Sequence, residues 1–495
     1  MSVGLQNARY GRTYLLASVA ALATVGTGFA ADLPSHKAAP ASYVKICDAY
    51  GAGFFTIPGS DTCLKVGGFV RFEAQYTPGQ AIRNVGNGAI SQVSSAQDST
   101  GMETRGSIAL DARTPTEWGT ARTYLRMRIL NAAGVRSTSG PANFDLSTGP
   151  TSGSKTGNTL ERAYISWAGF TFGLMNGEYA ALWPSGSYVG GSADFTSGWT
   201  NGIKGISYKK SFAGGWTAAV EIHSRSDGNV QNASSGNPLL PVPYGANDTN
   251  LDSLKTGYNL TGDIRNEGPW GGIELSAMVG NNSVSASPLP SAITTSKLKG
   301  SDTQTSWAVN STLQVNLPML AKGDAFFFNI AYGVGADGYV GAVDSVSTLV
   351  TDSGNRRVLG GVLIHPSNLS VTSVDAAGNP LTYGQEREFQ ATALLTHFWA
   401  PQWRSHFSVA YAKYSTPTAA GNGGILNTQL GDVTVWATKG NLIFSPVKDL
   451  DIGVEVGYGR DKATIQNPTA AFLAAGSPGL SNGNWISKLR VQRTF

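Results

Sequence analysis

The stretch ARTYLRMRIL, Ala121 to Leu130, sets Arg122, Arg126 and Arg128 at alternate positions to Leu125, Met127 and Ile129. Guanidinium groups stay charged at any biological pH and bind carboxylates through two parallel hydrogen bonds. A row of them holds a positive potential where walls confine the field. That is electrostatic work, and residues for bond-breaking chemistry are missing around it. The five histidines (His36, His223, His365, His397 and His406) lack zinc-ligand spacing, although His397 and His406 flank a tight turn and are placed to approach each other. There is no G-x-S-x-G motif. GVGADG, Gly333 to Gly338, fits G-x-G-x-x-G without a following helix or a βαβ unit, and reads as the start of a flexible loop. GPTSGSKT, around Lys155, lacks the Gly-Lys pair of a phosphate loop. Scattered loop Asp and Asn residues never reach EF-hand order. The expectation is no enzyme, no cofactor and no metal.

The arginines need an element with two unlike faces, and the chain repeats one. Segments of about ten residues alternate apolar and polar, the period-2 pattern of a strand. LKVGGFVRFEAQY sorts Leu64, Val66, Val70, Phe72, Ala74 and Tyr76 from Lys65, Arg71, Glu73 and Gln75. GSIALDAR separates Ile108, Leu110 and Ala112 from Ser107, Asp111 and Arg113. Further segments run from ERAYISW and FTFGLMN through DAFFFNIAYG to LDIGVEVGYGR and the terminal WISKLRVQRTF, about sixteen strands in all. Short links such as AG, NEGP and APQ alternate with long ones near 77–101, 131–158, 176–202, 224–252, 280–303, 334–385, 415–431 and 461–484. The long loops therefore share one side and both chain ends the other. This is an up-and-down antiparallel barrel with an even strand number, and membrane barrels have this pattern of short periplasmic turns and long external loops.

Which side is wet follows from cost. No amphipathic helix or second strand set is available to cover sixteen apolar faces. In lipid every strand N–H and C=O must be paired, which closure achieves. Sixteen strands enclose a water-filled lumen too wide for side chains to fill. Each arginine on the lipid face would cost roughly 2–4 kcal/mol at mid-membrane, so the guanidiniums belong inside. Trp118, Trp167, Trp199, Trp270, Trp307, Trp403, Tyr411, Tyr458 and Trp485 near strand ends suit an interfacial girdle.

The bulk properties agree. The chain has 495 residues with 14% charged, against roughly 25% in soluble domains. A formal charge of +4 argues against nucleic acid as a partner. Arg9 and Arg12, the apolar TYLLASVAALATV and the small-residue GTGFA read as a secretory signal cleaved after Ala30. Residues 31–62 follow as a periplasmic segment and 63–495 as the barrel. Cys47 and Cys63 are the only cysteines, and in an oxidising compartment they most simply form one disulfide, stabilising on the order of 3 kcal/mol.

YVKICDAYGAGFFTIPGSDTCLKVGGFVRFEAQY (43–76), ERAYISWAGFTFG and the terminal KLRVQRTF strongly resemble the alphaproteobacterial outer-membrane porins. The resemblance implies a sixteen-stranded, usually trimeric channel for small hydrophilic solutes and ions, set among outer-membrane lipid and lipopolysaccharide. It implies that Phe495 belongs to a terminal assembly signal. It further implies that the loop 176–202, with Glu178, Asp194 and Lys204 at its end, folds into the lumen. Arg71, Arg105, Arg122, Arg126 and Arg128 would line the facing wall. The plainer alternative is that these arginines pair with Glu73, Glu103 and Asp111 to solvate the wall. A substrate-specific channel is the second function expected, with the arginines and Trp183, Tyr188 and Trp199 as a binding track. A barrel hydrolase or a soluble adhesin would need features not found here.

Overall fold

The structure, a computed structural model, describes residues 45–76, 82–86, 89–93, 100–134, 155–184, 202–224, 251–253, 258–286, 302–340, 351–352, 356–359, 362–364, 369–374, 380–415, 429–466 and 481–495. Sixteen long strands form its wall: β1 (Cys63–Tyr76), β2 (Thr100–Thr116), β3 (Gly119–Gly134), β4 (Lys155–Trp167), β5 (Phe170–Met175), β6 (Ile203–Ser211), β7 (Trp216–Ser224), β8 (Tyr258–Gly268), β9 (Gly271–Ala286), β10 (Asp302–Asn316), β11 (Ala325–Val334), β12 (Arg387–Ala400), β13 (Trp403–Ser415), β14 (Gln429–Val447), β15 (Leu450–Gln466) and β16 (Ser481–Thr494). Each pairs antiparallel with the next, and β16 returns to β1 through Ser487↔Tyr76 to Thr494↔Phe69. The sheet closes, so no wall strand is left with an unpaired edge.

Burial runs opposite to that of a soluble protein. Val70, Met127 and Ile129 are about half exposed, at 55%, 49% and 56%, whereas Glu73, Glu103 and Glu221 are 2–4% exposed. Apolar side chains thus face outward all round the ring and polar ones inward, as lipid outside and water inside require. Among the described residues no helix is long and apolar enough to cross a membrane, and the crossing is made by strands. Tight turns join the strands at one rim. Ala168 and Gly169, at φ 51° and 87°, form the two-residue hairpin between β4 and β5, where positive φ matches strand twist.

Several strands outrun their sequence boundaries. β3 continues to Gly134, β9 to Ala286 and β15 to Gln466, although long loops were expected from 131, 280 and 461. Alternation marks only the lipid-embedded portion. Past it, backbone pairing continues without an apolar pattern to mark it. Residues 45–62, which precede β1, are tied to it. Cys47 and Cys63 form a disulfide with Cα atoms 6.0 Å apart, buried beside Phe54. Phe55 pairs with Leu64, and the Arg113 guanidinium lies 4.8 Å from the Phe54 ring centre.

Candidate functional site: two walls of the lumen

Register places the arginines. Arg71 stands opposite Arg105 across β1 and β2, Arg113 opposite Arg122 across β2 and β3, and Arg126 opposite Arg162 across β3 and β4. Like charges side by side repel unless acids intervene, and acids do intervene. Asp111 accepts from Arg113 and Arg122, with Nη2–Oδ2 2.8 Å and Nε–Oδ1 2.9 Å respectively. Arg105 lies 2.6 Å from Glu103, and Arg71 3.9 Å from Glu73, which Arg490 of β16 also binds. Arg71 Nε donates to Gln492 at 2.8 Å. The Arg122 guanidinium also sits 5.1 and 5.4 Å from the rings of Tyr124 and Tyr164. With Arg162, Lys488 and Arg490 added, bases outnumber acids on this wall.

Glu161 joins the network by a route that the alternation in the sequence does not show. Arg126 pairs with Arg162 but Met127 with Leu160, so Glu161 is the extra residue of a β-bulge. In a regular strand it would share the lipid side with Ala163 and Ile165. The bulge re-aims it inward, where it holds Arg126 at 2.9 Å and Arg128 at 2.8 Å.

A second wall, β7 to β12, bears the loop that leaves β5. In a closed ring of sixteen, strands eight apart are opposite, so β9 to β12 face β1 to β4. The loop's first residues dock there through backbone donors. Glu178 N–H donates to Glu221 Oε2 at 3.0 Å and Ala180 N–H to Ser276 Oγ at 3.1 Å. Ala181 and Leu182 both donate to the Glu274 carboxylate, at 2.8 and 2.6 Å. Trp183 packs against Ala325, Phe327 and Leu394. The Glu178 side chain is held by Lys209 at 3.0 Å and by Arg265 at 3.3 Å, and Arg265 also binds Asp263 at 2.8 Å.

The residues singled out from the sequence fall into three groups. Arg71, Arg105, Arg122, Arg126 and Arg128 come together on one wall, each in an ion pair. Glu178 lies on the other, its carboxylate engaged by Lys209 and Arg265 instead of being offered to the arginines. Trp183 is 6% exposed, packed into the second wall. Lys204 lies on an outward position of β6, and Asp194, Tyr188 and Trp199 lie outside the described residues. Two readings are corrected. His397 pairs with Ser405 and His406 with Thr396, so adjacent registers send the imidazoles to opposite faces; His397 binds Asp324 at 2.6 Å and His406 binds Thr396 at 2.8 Å. GVGADG does not begin a free loop, because Ala336, Tyr339 and Val340 just after β11 are 0–3% exposed. Glu161, Glu221 and Glu274 were missed. The last two were visible as acids in the inward stripes of WTAAVEIH and GGIELSAMV. Among the described residues, no group of His, Cys, Asp and Glu is arranged to hold a metal ion.

A closed sixteen-stranded barrel, apolar outside and charged inside with a loop docked on its inner face, defines an outer-membrane barrel protein of the porin type. Residues 32–478 match the Porin subfamily, and the chain belongs to that non-enzymatic family. It is similar to porin Omp2a of Brucella melitensis biotype 1, 28% identical over 275 residues covering 53% of this chain and 64% of the relative. It is also similar to porin Omp2b of Brucella suis biovar 1, 29% identical over 221 residues covering 44% and 54%. In both, the matched part spans less than two thirds of the relative. Among solved structures, the outer membrane channel DcaP of Acinetobacter baumannii aligns at 14% identity over 89% of this chain and 99% of that one, with a TM-score of 0.49.

Proposed function

We propose that this protein is a passive, water-filled channel for small hydrophilic solutes and ions, exported by cleavage after Ala30 and assembled as a homotrimer. Residues 176–202 narrow the lumen from one side, bringing Glu178 and Asp194 to the constriction. Arg71, Arg105, Arg122, Arg126 and Arg128 form the other side. The observation that carries this reading is the division of the lumen into an arginine wall and a loop-bearing wall opposite it. Between them a field runs across the path, in which polar solutes align while apolar ones lose hydration without compensation. Planar-bilayer recording of the purified protein tests it: stable, ohmic steps are expected, and their absence removes the proposal. Blue-native electrophoresis tests the trimer.

Outer-leaflet partners have their own support. On the outward side of β12 to β15, at the long-loop rim, Arg387, Lys413 and Lys462 stand with Asp432 above an aromatic row. That row runs through Phe389, Tyr411, Trp436, Tyr458 and Trp485, with Trp436–Tyr458 and Tyr458–Trp485 ring centres 5.4 and 4.9 Å apart. Cations over an interfacial aromatic belt suit the phosphates of lipopolysaccharide. At the opposite rim, Phe495 exchanges two 3.0 Å backbone hydrogen bonds with Gly68, which joins the terminal aromatic to β1 and suits the assembly role.

A further inference from the structure

The glycine motif at the end of β11 leads to a second element inside the lumen. Gly335 takes φ +61° and turns the chain, so that α1 (Asp337–Val340) continues inward. Gly333 makes room for it, since a Cβ there would stand 2.7 Å from the Val340 side chain. The turn buries Ala336, Tyr339 and Val340 against Tyr179 and Ala180 of the first loop and Met278 of β9. The Tyr179 and Tyr339 rings meet edge to face, with centres 5.1 Å apart. Asn259 Nδ2 donates to the Tyr339 hydroxyl at 3.0 Å, leaving the phenolic proton for His223 Nε2 at 2.6 Å. His223 Nδ1 lies 3.4 Å from the Ser224 carbonyl, which suits the tautomer that this arrangement needs. Gly280 is shaped around the same network, because a Cβ there would stand 2.2 Å from Asn259 Oδ1.

We propose that the segment 335–340 is a clamp that fixes the constriction loop, and that Tyr339 is its positioning residue. The channel's narrowest width is then set jointly by two loops. The logic is one of attachment. Residues 178–183 are held from behind by Glu221 and Glu274, and those bonds leave the apolar face of Tyr179 to be covered. Tyr339 covers it with a ring, and its hydroxyl, tied to β7 and β8, prevents that ring from swinging away. A buried hydroxyl with two partners is specific about position in a way that apolar contact alone is not.

The statement about pore width rests on the channel reading above, so the test has two independent readouts. Hydrogen–deuterium exchange of the whole protein in detergent reports attachment without reference to transport. Tyr339→Ala is expected to speed exchange of the 178–183 amides about tenfold while β1 to β4 stay unchanged, and Tyr339→Phe, which keeps the ring, to speed it less. Unchanged exchange in folded Tyr339→Ala overturns the clamp; should that variant fail to fold, unchanged exchange in Tyr339→Phe does so. Single-channel recording reports width. Sub-conductance states and closure at lower voltage are expected for Tyr339→Ala, and steps identical to those of the wild type overturn the role in setting the pore. Absence of conductance in the wild type would instead sink the channel reading, with the exchange result still deciding the clamp.

Discussion

The two walls of the lumen are built from the same residue types and use them differently. On β1 to β4 the carboxylates of Glu73, Glu103, Asp111 and Glu161 sit among guanidiniums, so the acids offset part of a positive excess along the wall. On β7 to β9 the carboxylates of Glu221 and Glu274 turn toward backbone N–H groups of the entering loop. A carboxylate that accepts from two successive amides fixes a segment that has no strand partner. The comparison teaches that inward charge has two uses in a wet barrel: tuning the field, and holding in place what folds into it.

Breaking the second wall is expected to have the largest effect. Glu274→Ala removes the acceptor for Ala181 and Leu182 together, and charged hydrogen bonds of this kind contribute about 1.5–3 kcal/mol each. Conductance is expected to rise and become noisy in bilayer recordings, while Glu103→Ala on the arginine wall leaves the noise unchanged. If Glu274→Ala records like the wild type, the loop is held by other means and the distinction between the walls fails.

The next effect tests the premise of both walls, that lipid lies outside. Met127→Arg, on the outward face, is expected to destabilise the folded barrel by roughly 2–4 kcal/mol in urea unfolding from bilayers. Its neighbour Arg126→Leu, on the inward face, is expected to cost about 1 kcal/mol or less, the scale of a partly exposed ion pair. Equal costs for the two would mean that inside and outside have been misassigned.

What the sequence disclosed follows the same division. Alternation recorded the faces of ARTYLRMRIL because lipid punishes error at every second position, and the long–short rhythm of the links located the rims. Neither signal reaches the bulge at Glu161. It shifts one residue inside ERAYISW and leaves the hydrophobic count almost unaltered. The anchoring role of Glu274 was hidden for another reason: an acid facing water looks the same whether it binds a guanidinium on its own wall or an amide more than ninety residues earlier. Likewise, Tyr339 follows a glycine motif whose spacing resembles a nucleotide site, when Gly333 serves close packing and Gly335 a turn.

Selectivity gives a smaller effect of definite sign. Glu161→Gln leaves Arg126 and Arg128 without their shared acid. One unit of charge about 8 Å from a passing ion contributes roughly 0.5 kcal/mol in a water-like medium, about a twofold change in permeability ratio. Reversal potential in a salt gradient is expected to move toward anions by that factor, and an unchanged potential would place Glu161 outside the conducting path.

Arg126→Ala is expected to move the ratio the other way by a similar factor, because it removes one unit of charge 2.9 Å from the Glu161 carboxylate. The informative experiment is the pair. The double variant Arg126→Ala/Glu161→Gln removes one positive and one negative charge, so its reversal potential is expected to return close to that of the wild type. Its conductance reports only the change in volume. If the two shifts add to a value far from zero, each charge is felt by ions at a different depth, and the bulge does not join them into one neutral unit. If they cancel, the net positive potential of this wall resides in its remaining bases, and Arg71, Arg105 and Arg122 become the set to vary next.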